Sequence, residues 1–306
     1  MSNLNSLTFI YFAIGLVALI KGADIFTNSA SKIARHYGLS ELVIGLTLVA
    51  FATSLPELAV SATASFFHSY EIALGNVIGS NIANVGLVIG LSALAFPIVA
   101  RSEEISECLV MIGVLMVASI LFIFGLVFWE GILLVMFLFA YVWSALREHK
   151  RILGKKIKTN MSKNIILCLI GVAGVVAGSR FVVISSVEIA RWAGISEMVI
   201  GMTLIAIGTS LPELATSFVA AFRGMRELAL GNIIGSNVFN ISAVLGISAL
   251  LNPIPVASSV LMFDVPIMIA FSVLMLIFMW TRKKIGRIEG GILLLLYLGF
   301  LCMNFL

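Results

Sequence analysis

The chain has 306 residues, of which 61% are hydrophobic and 11% charged, with a formal net charge of +4, against roughly 45–50% and about 25% in soluble domains. A soluble core has no use for so much apolar surface, and the basic residues lie between apolar runs rather than among exposed aromatics, which argues against a nucleic-acid surface. Cys108, Cys168 and Cys302 are odd in number and far apart within apolar stretches, so neither a disulfide framework nor a cysteine metal cluster is indicated, and they read as buried thiols that only pack.

Runs of about 20 apolar residues, each able to cross a hydrocarbon layer roughly 30 Å thick as a helix, recur along the chain. In chain order they predict ten spans, near residues 8–27, 42–66, 72–95, 108–127, 130–146, 164–187, 197–221, 228–251, 261–281 and 290–305. The fold class is therefore an all-α membrane protein. The first run lacks a basic flank before it and a small-residue cleavage site after it, so it reads as a retained span and not a signal peptide. Between the fifth and sixth spans lies 147–163, REHKRILGKKIKTNMSK, whose seven Lys and Arg make it a cytoplasmic linker between halves 1–146 and 164–306. Both termini then lie on the extracytoplasmic side of a cell membrane. Lys32, Arg35, Arg101, Arg223, Arg226, Arg282, Lys283, Lys284 and Arg287 fall in loops that the same count puts inside, making 16 of the 19 basic residues cytoplasmic. Only Arg191 sits in an outer loop.

Shifted by 156 residues, Ile33 to Ile98 aligns with Ile189 to Ile254 without a gap, and 39 of the 66 pairs are identical. The clearest blocks are VIGLTLVAFATSLPELAVS against VIGMTLIAIGTSLPELATS, and EIALGNVIGSNIAN against ELALGNIIGSNVFN. Duplication explains this. Each copy carries five spans, an odd number, so the second enters the membrane from the opposite side. Two inverted five-helix repeats are a recurring architecture of secondary transporters, in which two similar halves give inward-open and outward-open states around one central site.

Each copy places Thr-Ser-Leu-Pro-Glu within an apolar span: Thr53, Ser54, Pro56 and Glu57, then Thr209, Ser210, Pro212 and Glu213. A carboxylate there costs about 2.5–3.5 kcal/mol on insertion scales, and no intramembrane Lys or Arg recurs in both copies to pair with it, so both glutamates are functional candidates. Proline lacks an amide donor and clashes one turn back, which predicts free carbonyls near Ala50 and Ala206. The second block adds Asn76, Ser80, Asn81 and Asn84, then Asn232, Ser236, Asn237 and Asn240. Ser80 and Asn84, like Ser236 and Asn240, are four apart and share a helical face. Glycines 75, 79, 231 and 235 would let these helices approach their neighbours. Two carboxylates with hydroxyl, amide and carbonyl oxygens suit a hard cation: calcium takes about six to eight such ligands, whereas zinc prefers His or Cys. The two charges would offset one calcium or two sodium ions, and competition for them would make the two ions alternate.

ATSLPE and GTSLPE, followed by GSNIAN and GSNVFN, resemble the paired alpha-repeats of the cation/calcium exchanger superfamily. The likeness covers the 66 residues twice, and the ten-span layout extends it over nearly the whole chain, closest to the prokaryotic sodium/calcium exchangers. It implies an antiporter exchanging sodium for calcium, with the second, third, seventh and eighth spans as a core and the first and sixth sliding against it. Position by position, it implies calcium binding by Glu57 and Glu213 with Thr53 and Thr209. It implies sodium sites at Ser54, Ser80, Ser210 and Ser236 with the Ala50 and Ala206 carbonyls, and a central position for Asn84 and Asn240. Ala52 stands where the family motif has glycine. Asn240 stands where many relatives, including the potassium-dependent exchangers, carry Asp, so the resemblance is to the potassium-independent kind. Sodium, calcium and the bilayer are the expected partners, with no cofactor, no nucleic acid and no obligatory protein partner.

The nearest rival is a proton/calcium antiporter in which the glutamates take protons. The hydroxyl and carbonyl ligands favour sodium, and the GNAxE-type motif of proton-using relatives is absent. A channel would be built by symmetric assembly around a pore. A membrane enzyme finds no support, since His36, His68 and His149 all fall in predicted loops.

Overall fold

The computed structural model describes residues 6–148, 160–194 and 206–303. Its helices in chain order are α1 (Ser6–Tyr37), α2 (Glu41–Thr53), α3 (Leu55–Phe66), α4 (Tyr70–Ala95), α5 (Ser102–Phe124), α6 (Phe128–Glu148), α7 (Met161–Trp192), α8 (Ala206–Thr209), α9 (Leu211–Phe222), α10 (Arg226–Leu251), α11 (Val260–Arg282) and α12 (Arg287–Met303). Two two-residue strands, β1 (Ile98–Val99) and β2 (Lys284–Ile285), pair antiparallel with Ile98 opposite Ile285.

Among the described residues, seven helices are long and apolar enough to cross a membrane: α1, α4, α5, α6, α7, α10 and α11. The pair α2 and α3, bent by 47°, makes an eighth as one broken span. This is fewer than the ten spans read from hydropathy. At 12 and 17 residues, α9 and α12 fall short of the roughly 20 residues of a full crossing. The predicted spans 197–221 and 290–305 both reach into residues outside the described ones, as does most of the 147–163 linker with His149.

Boundaries shift for physical reasons. α1 continues ten residues beyond the apolar run ending at 27, because Phe26, Ala30, Ile33 and Ala34 remain buried in one cluster with Ile44, Val49, Ala220 and Leu228. His36 therefore lies in the last turn of α1 and not in a loop. α5 begins six residues before the predicted 108, where the Glu104 carboxylate accepts the Arg101 amide at 2.7 Å and caps the helix.

α1 and α7 cross in close backbone contact, since a Cβ added at Gly22 would lie 2.7 Å from the Val175 nitrogen and one at Gly171 the same distance from that of Phe26. α4 and α10 are buried along most of their length. Phe139, Leu169, Met262, Trp280 and Leu295 are each about two-thirds exposed on the outside, a surface that only a lipid solvent would favour. Cys108 and Cys168 are buried as read from sequence, but Cys302 is exposed, because it lies on the outward side of α12.

The two ends differ. At one, Arg223 pairs with Asp24, Arg101 with Glu227 and Arg282 with Glu289, and the Ala100 amide donates to the Lys283 carbonyl at 2.9 Å. At the other, the Ile254 amide donates to the Leu126 carbonyl at 2.7 Å and the Ser65 hydroxyl to the Ser248 carbonyl at 2.7 Å.

Candidate ion-binding site

The helices break where the motif stands. Ser54 leaves helical geometry at φ −84°, ψ 5°, and Ser210 at φ −85°, ψ 2°. Pro56 and Pro212 follow in the first turn of α3 and α9, where a missing amide costs nothing. Contrary to the sequence reading, the Ala50 carbonyl is not bare. It accepts the Ser54 amide at 3.0 Å and lies 3.3 Å from the Thr53 hydroxyl. The reason is register: the donor missing at Pro56 belongs to the carbonyl four residues earlier, at Ala52. In the second copy the Ser210 amide donates to the Ile207 carbonyl at 3.1 Å, while Ala206 opens α8 at the edge of the described residues.

Glu57 and Glu213 are both 0% exposed. Glu213 Oε1 accepts from the Ser54 hydroxyl at 3.3 Å, whereas Glu213 Oε2 and both Glu57 oxygens have no hydrogen-bond partner. Buried charges left so are costly unless something outside the chain meets them.

The surrounding hydroxyls are oriented by amides. Asn76 donates to the Ser61 hydroxyl at 2.8 Å and to the Glu57 carbonyl at 3.3 Å, and accepts from the Thr209 hydroxyl at 3.3 Å. The second copy repeats the arrangement, Asn232 donating to Ser217 at 2.8 Å and accepting from Thr53 at 3.1 Å. Each threonine thus has an asparagine oxygen as an acceptor for its one proton, and the Thr53 hydroxyl has the Val49 and Ala50 carbonyls at 3.2 and 3.3 Å besides. Asn76 and Asn232, read from sequence as oxygen donors, act here as orienting groups, and Ser61 and Ser217 were not singled out at all. Their one sequence signal is identity between copies. Ser80 lies 3.4 Å from Thr209 and Ser236 3.4 Å from Thr53, while the buried Ser210 hydroxyl has no partner.

At the centre the two copies exchange side-chain amides. Asn84 Nδ2 donates to Asn237 Oδ1 at 3.0 Å, and Asn240 Nδ2 to Asn81 Oδ1 at 3.0 Å. Asn84 Oδ1 and Asn240 Oδ1 are left buried without partners. Each begins a π-helical turn, Asn84–Ile89 and Asn240–Leu245, a local widening that recurs at functional positions. Among the described residues no three of His, Cys, Asp and Glu gather into a metal cluster. The unpartnered atoms are carboxylate, amide and hydroxyl oxygens, a donor set for hard cations.

Among the described residues, the surroundings are closed on one copy and open on the other. A Cβ added at Gly235 would meet the Leu46 carbonyl at 2.6 Å, and one at Gly231 the Leu42 carbonyl at 2.7 Å. At Gly75 and Gly79, the matching positions, it would meet nothing within 4 Å among the described residues, which exclude 195–205, the segment matching 39–49. Both line a cavity of about 960 Å³ that His68, Glu71, Ser259 and Asp264 border toward one end of the molecule.

Fold and site together define the class: a multi-span membrane protein with two buried carboxylates set among hydroxyl and amide groups of both copies. The chain belongs to the sodium/calcium exchanger family, since the family described as Sodium/calcium exchanger protein matches residues 7–147 and 163–306. It is 37% identical to the sodium/calcium exchanger MaX1 of Methanosarcina acetivorans over 98% of this chain and 99% of that protein. It is 34% identical to the inner membrane protein YrbG of Escherichia coli K12 over 92% and 91%. A solved structure of the sodium-calcium exchanger NCX_Mj matches with a TM-score of 0.87 at 35% identity, covering 97% of this chain and 98% of that one. The family is one of membrane exchangers and not of catalytic enzymes.

Proposed function

We propose that this chain is a secondary antiporter that exchanges sodium for calcium by alternating access, with the ions held between Glu57 and Glu213. The observation that carries this reading is that both glutamates are 0% exposed and three of their four carboxylate oxygens have no partner. Two negative charges held this way offset one divalent ion or two monovalent ones, and occupancy by one excludes the other. Thr53, Thr209, Ser54, Ser210, Ser80, Ser236, Asn84 and Asn240 complete the ligand set, with the Ala50 and Ala206 carbonyls at the sodium positions. With the Thr53 proton on Asn232, the Ala50 oxygen keeps a second lone pair for an ion. MaX1 and NCX_Mj carry the same pair of ions in their names.

In this reading the halves 1–146 and 164–306 are inverted five-helix repeats joined by the 147–163 linker. The matched hydrogen bonds across the copies support it. The paired arginines at one end support a cytoplasmic position for that end and both termini outside. Cysteines introduced at Phe67 and Arg226, in a Cys302→Ser background, should then react with an impermeant maleimide from opposite sides. Reaction of both from one side would overturn the orientation.

The central test is purified protein in liposomes, measuring radioactive calcium uptake against an imposed sodium gradient. Uptake should follow the sodium gradient. Equal uptake driven by a proton gradient without sodium would favour the proton/calcium alternative.

A further inference from the structure

The two asparagines that precede the central amides by three residues, Asn81 and Asn237, are both buried, at 1% and 0% exposure, yet neither is left with an unpartnered atom. Their Oδ1 atoms accept across the copy boundary from Asn240 and Asn84, each at 3.0 Å. Their Nδ2 atoms point the other way, into the scaffold. Asn81 donates to the Asn237 carbonyl at 3.4 Å and toward the Met268 sulfur at 3.6 Å, and Asn237 toward the Met111 sulfur at 3.5 Å.

For Asn81 and Asn240 this pattern has one consistent orientation, fixed by the Asn237 carbonyl, and for Asn237 and Asn84 the Met111 sulfur selects the matching one. Turning Asn81 over would set its Oδ1 against the Asn237 carbonyl, acceptor against acceptor, and its Nδ2 against the Asn240 Nδ2, donor against donor. Turning Asn240 or Asn84 over would bury an amide oxygen against Oδ1 of its partner and aim two N–H groups into the pocket. An unpaired buried polar atom costs about 1–3 kcal/mol, and a donor aimed at a cation repels it besides. With each Nδ2 consumed by the crossed bond, Asn84 Oδ1 and Asn240 Oδ1 have only the pocket to face.

We infer that Asn81 and Asn237 are positioning residues for ion binding, which lock the central amides with their carbonyl oxygens toward the cation. The inference rests on the reading of Asn84 and Asn240 as cation ligands and goes beyond it by assigning what orients them. The neutral amide thereby acts as an oxygen ligand of fixed direction. Groups that orient metal ligands in this way affect affinity by about 10–100-fold when removed.

The test compares Asn237→Leu, which keeps volume but removes the acceptor, with Asn237→Asp, which keeps an acceptor toward Asn84, loses the donor toward sulfur and adds a carboxyl whose charge favours a nearby cation. Asn84→Ala tests the underlying ligand separately. In liposomes under a fixed sodium gradient, Asn237→Leu should raise the KM for calcium about tenfold or more with the maximal rate within about threefold. Asn237→Asp should restore the KM to within about threefold of wild type. If Asn237→Leu yields no monodisperse protein, Asn237→Ser, whose shorter side chain cannot reach the Asn84 amide, carries the same expectation. A raised KM in Asn84→Ala with an unchanged KM in Asn237→Leu or Asn237→Ser overturns the positioning role and leaves the ligand reading intact. An unchanged KM in Asn84→Ala overturns both. A KM raised equally in Asn237→Asp and Asn237→Leu also overturns the positioning role, because an acceptor alone would then be insufficient.

Discussion

Ser54 and Glu213 are joined across the two copies by a hydrogen bond of 3.3 Å, whereas the matching pair, Ser210 and Glu57, makes none, and the Ser210 hydroxyl and both Glu57 oxygens stand without partners. One motif thus occupies two local states within one molecule. Ser54→Ala strips a hydroxyl donor from a buried carboxylate, at about 1–3 kcal/mol, while the Ser210 hydroxyl has no partner to lose. Thermal unfolding in ion-free detergent should therefore find Ser54→Ala less stable than Ser210→Ala. Equal midpoints would mean that the asymmetry does not persist in solution.

Glu57→Gln and Glu213→Gln should each leave a folded protein that exchanges calcium about 100-fold more slowly or not at all, because each removes one of two charges facing a divalent ion. Loss of an unpaired buried charge also relieves desolvation, so ion-free stability should not fall. Wild type should gain about 2.7 kcal/mol at calcium 100 times the dissociation constant, and the mutants should gain almost none. A calcium-dependent rise in melting temperature that survives in Glu57→Gln would remove that carboxylate from the site.

Which polar side chains the fold brings together was largely legible in the sequence, and the reason is the duplication. Thr53, Ser54, Pro56 and Glu57 recur in an apolar span, and apolar spans tolerate such residues only for cause. The identity of a hydroxyl or amide was readable, but its direction was not. Asn76 and Asn81 carry the same side chain as Asn84, and only packing decides that the first two orient neighbours while the third leaves an oxygen free. The Ala50 carbonyl was misjudged by register, since the donor missing at Pro56 would serve Ala52 and the Ser54 amide still makes the ordinary helical bond to Ala50. The π-helical turn that begins at Asn84 likewise has no hydrophobic periodicity of its own, since every residue from Asn84 to Ile89 is buried.

The contrast between Gly235 and Gly79 separates structure from transport. In Gly235→Ala the new methyl would press on the Leu46 carbonyl at 2.6 Å and on the Ala50 Cβ at 2.7 Å, an overpacking that costs about 1–3 kcal/mol. In Gly79→Ala the methyl meets nothing within 4 Å among the described residues, and a helical alanine gains up to about 1 kcal/mol over glycine. Gly79→Ala should therefore melt at or above wild type. If the halves exchange roles during transport, Gly79 must take up the packing that Gly235 has here, and the same variant should exchange calcium several-fold more slowly while binding it normally. A Gly79→Ala protein with wild-type turnover would mean that the open face never closes on that glycine.

Asn240 sets the charge of the centre. Its amide donates to Asn81 Oδ1 at 3.0 Å, which a carboxylate could not do, so at this position the chain holds a neutral oxygen where many relatives hold a charged one. Only Glu57 and Glu213 then offset the bound cations. A third positive charge has no counter-charge inside, so any state that binds more than two moves net charge across the membrane. Each charge carried through the full potential is worth about 2.3 kcal/mol per 100 mV, enough to change rates well over tenfold if one step carries all of it. Sodium-driven calcium uptake should thus accelerate or slow with an imposed voltage, according to its sign. At clamped voltage it should not respond to adding or removing potassium, because the centre lacks the extra carboxylate that would hold a further monovalent ion. Asn240→Asp supplies that carboxylate and sets it against Asn81 Oδ1, so Asn81 must turn its amide over or the new group must keep a proton. Either way calcium uptake in the variant should become more dependent on pH than in wild type. A potassium requirement in wild type, or identical pH profiles for the two proteins, would show that the charge at this position does not govern the ion load.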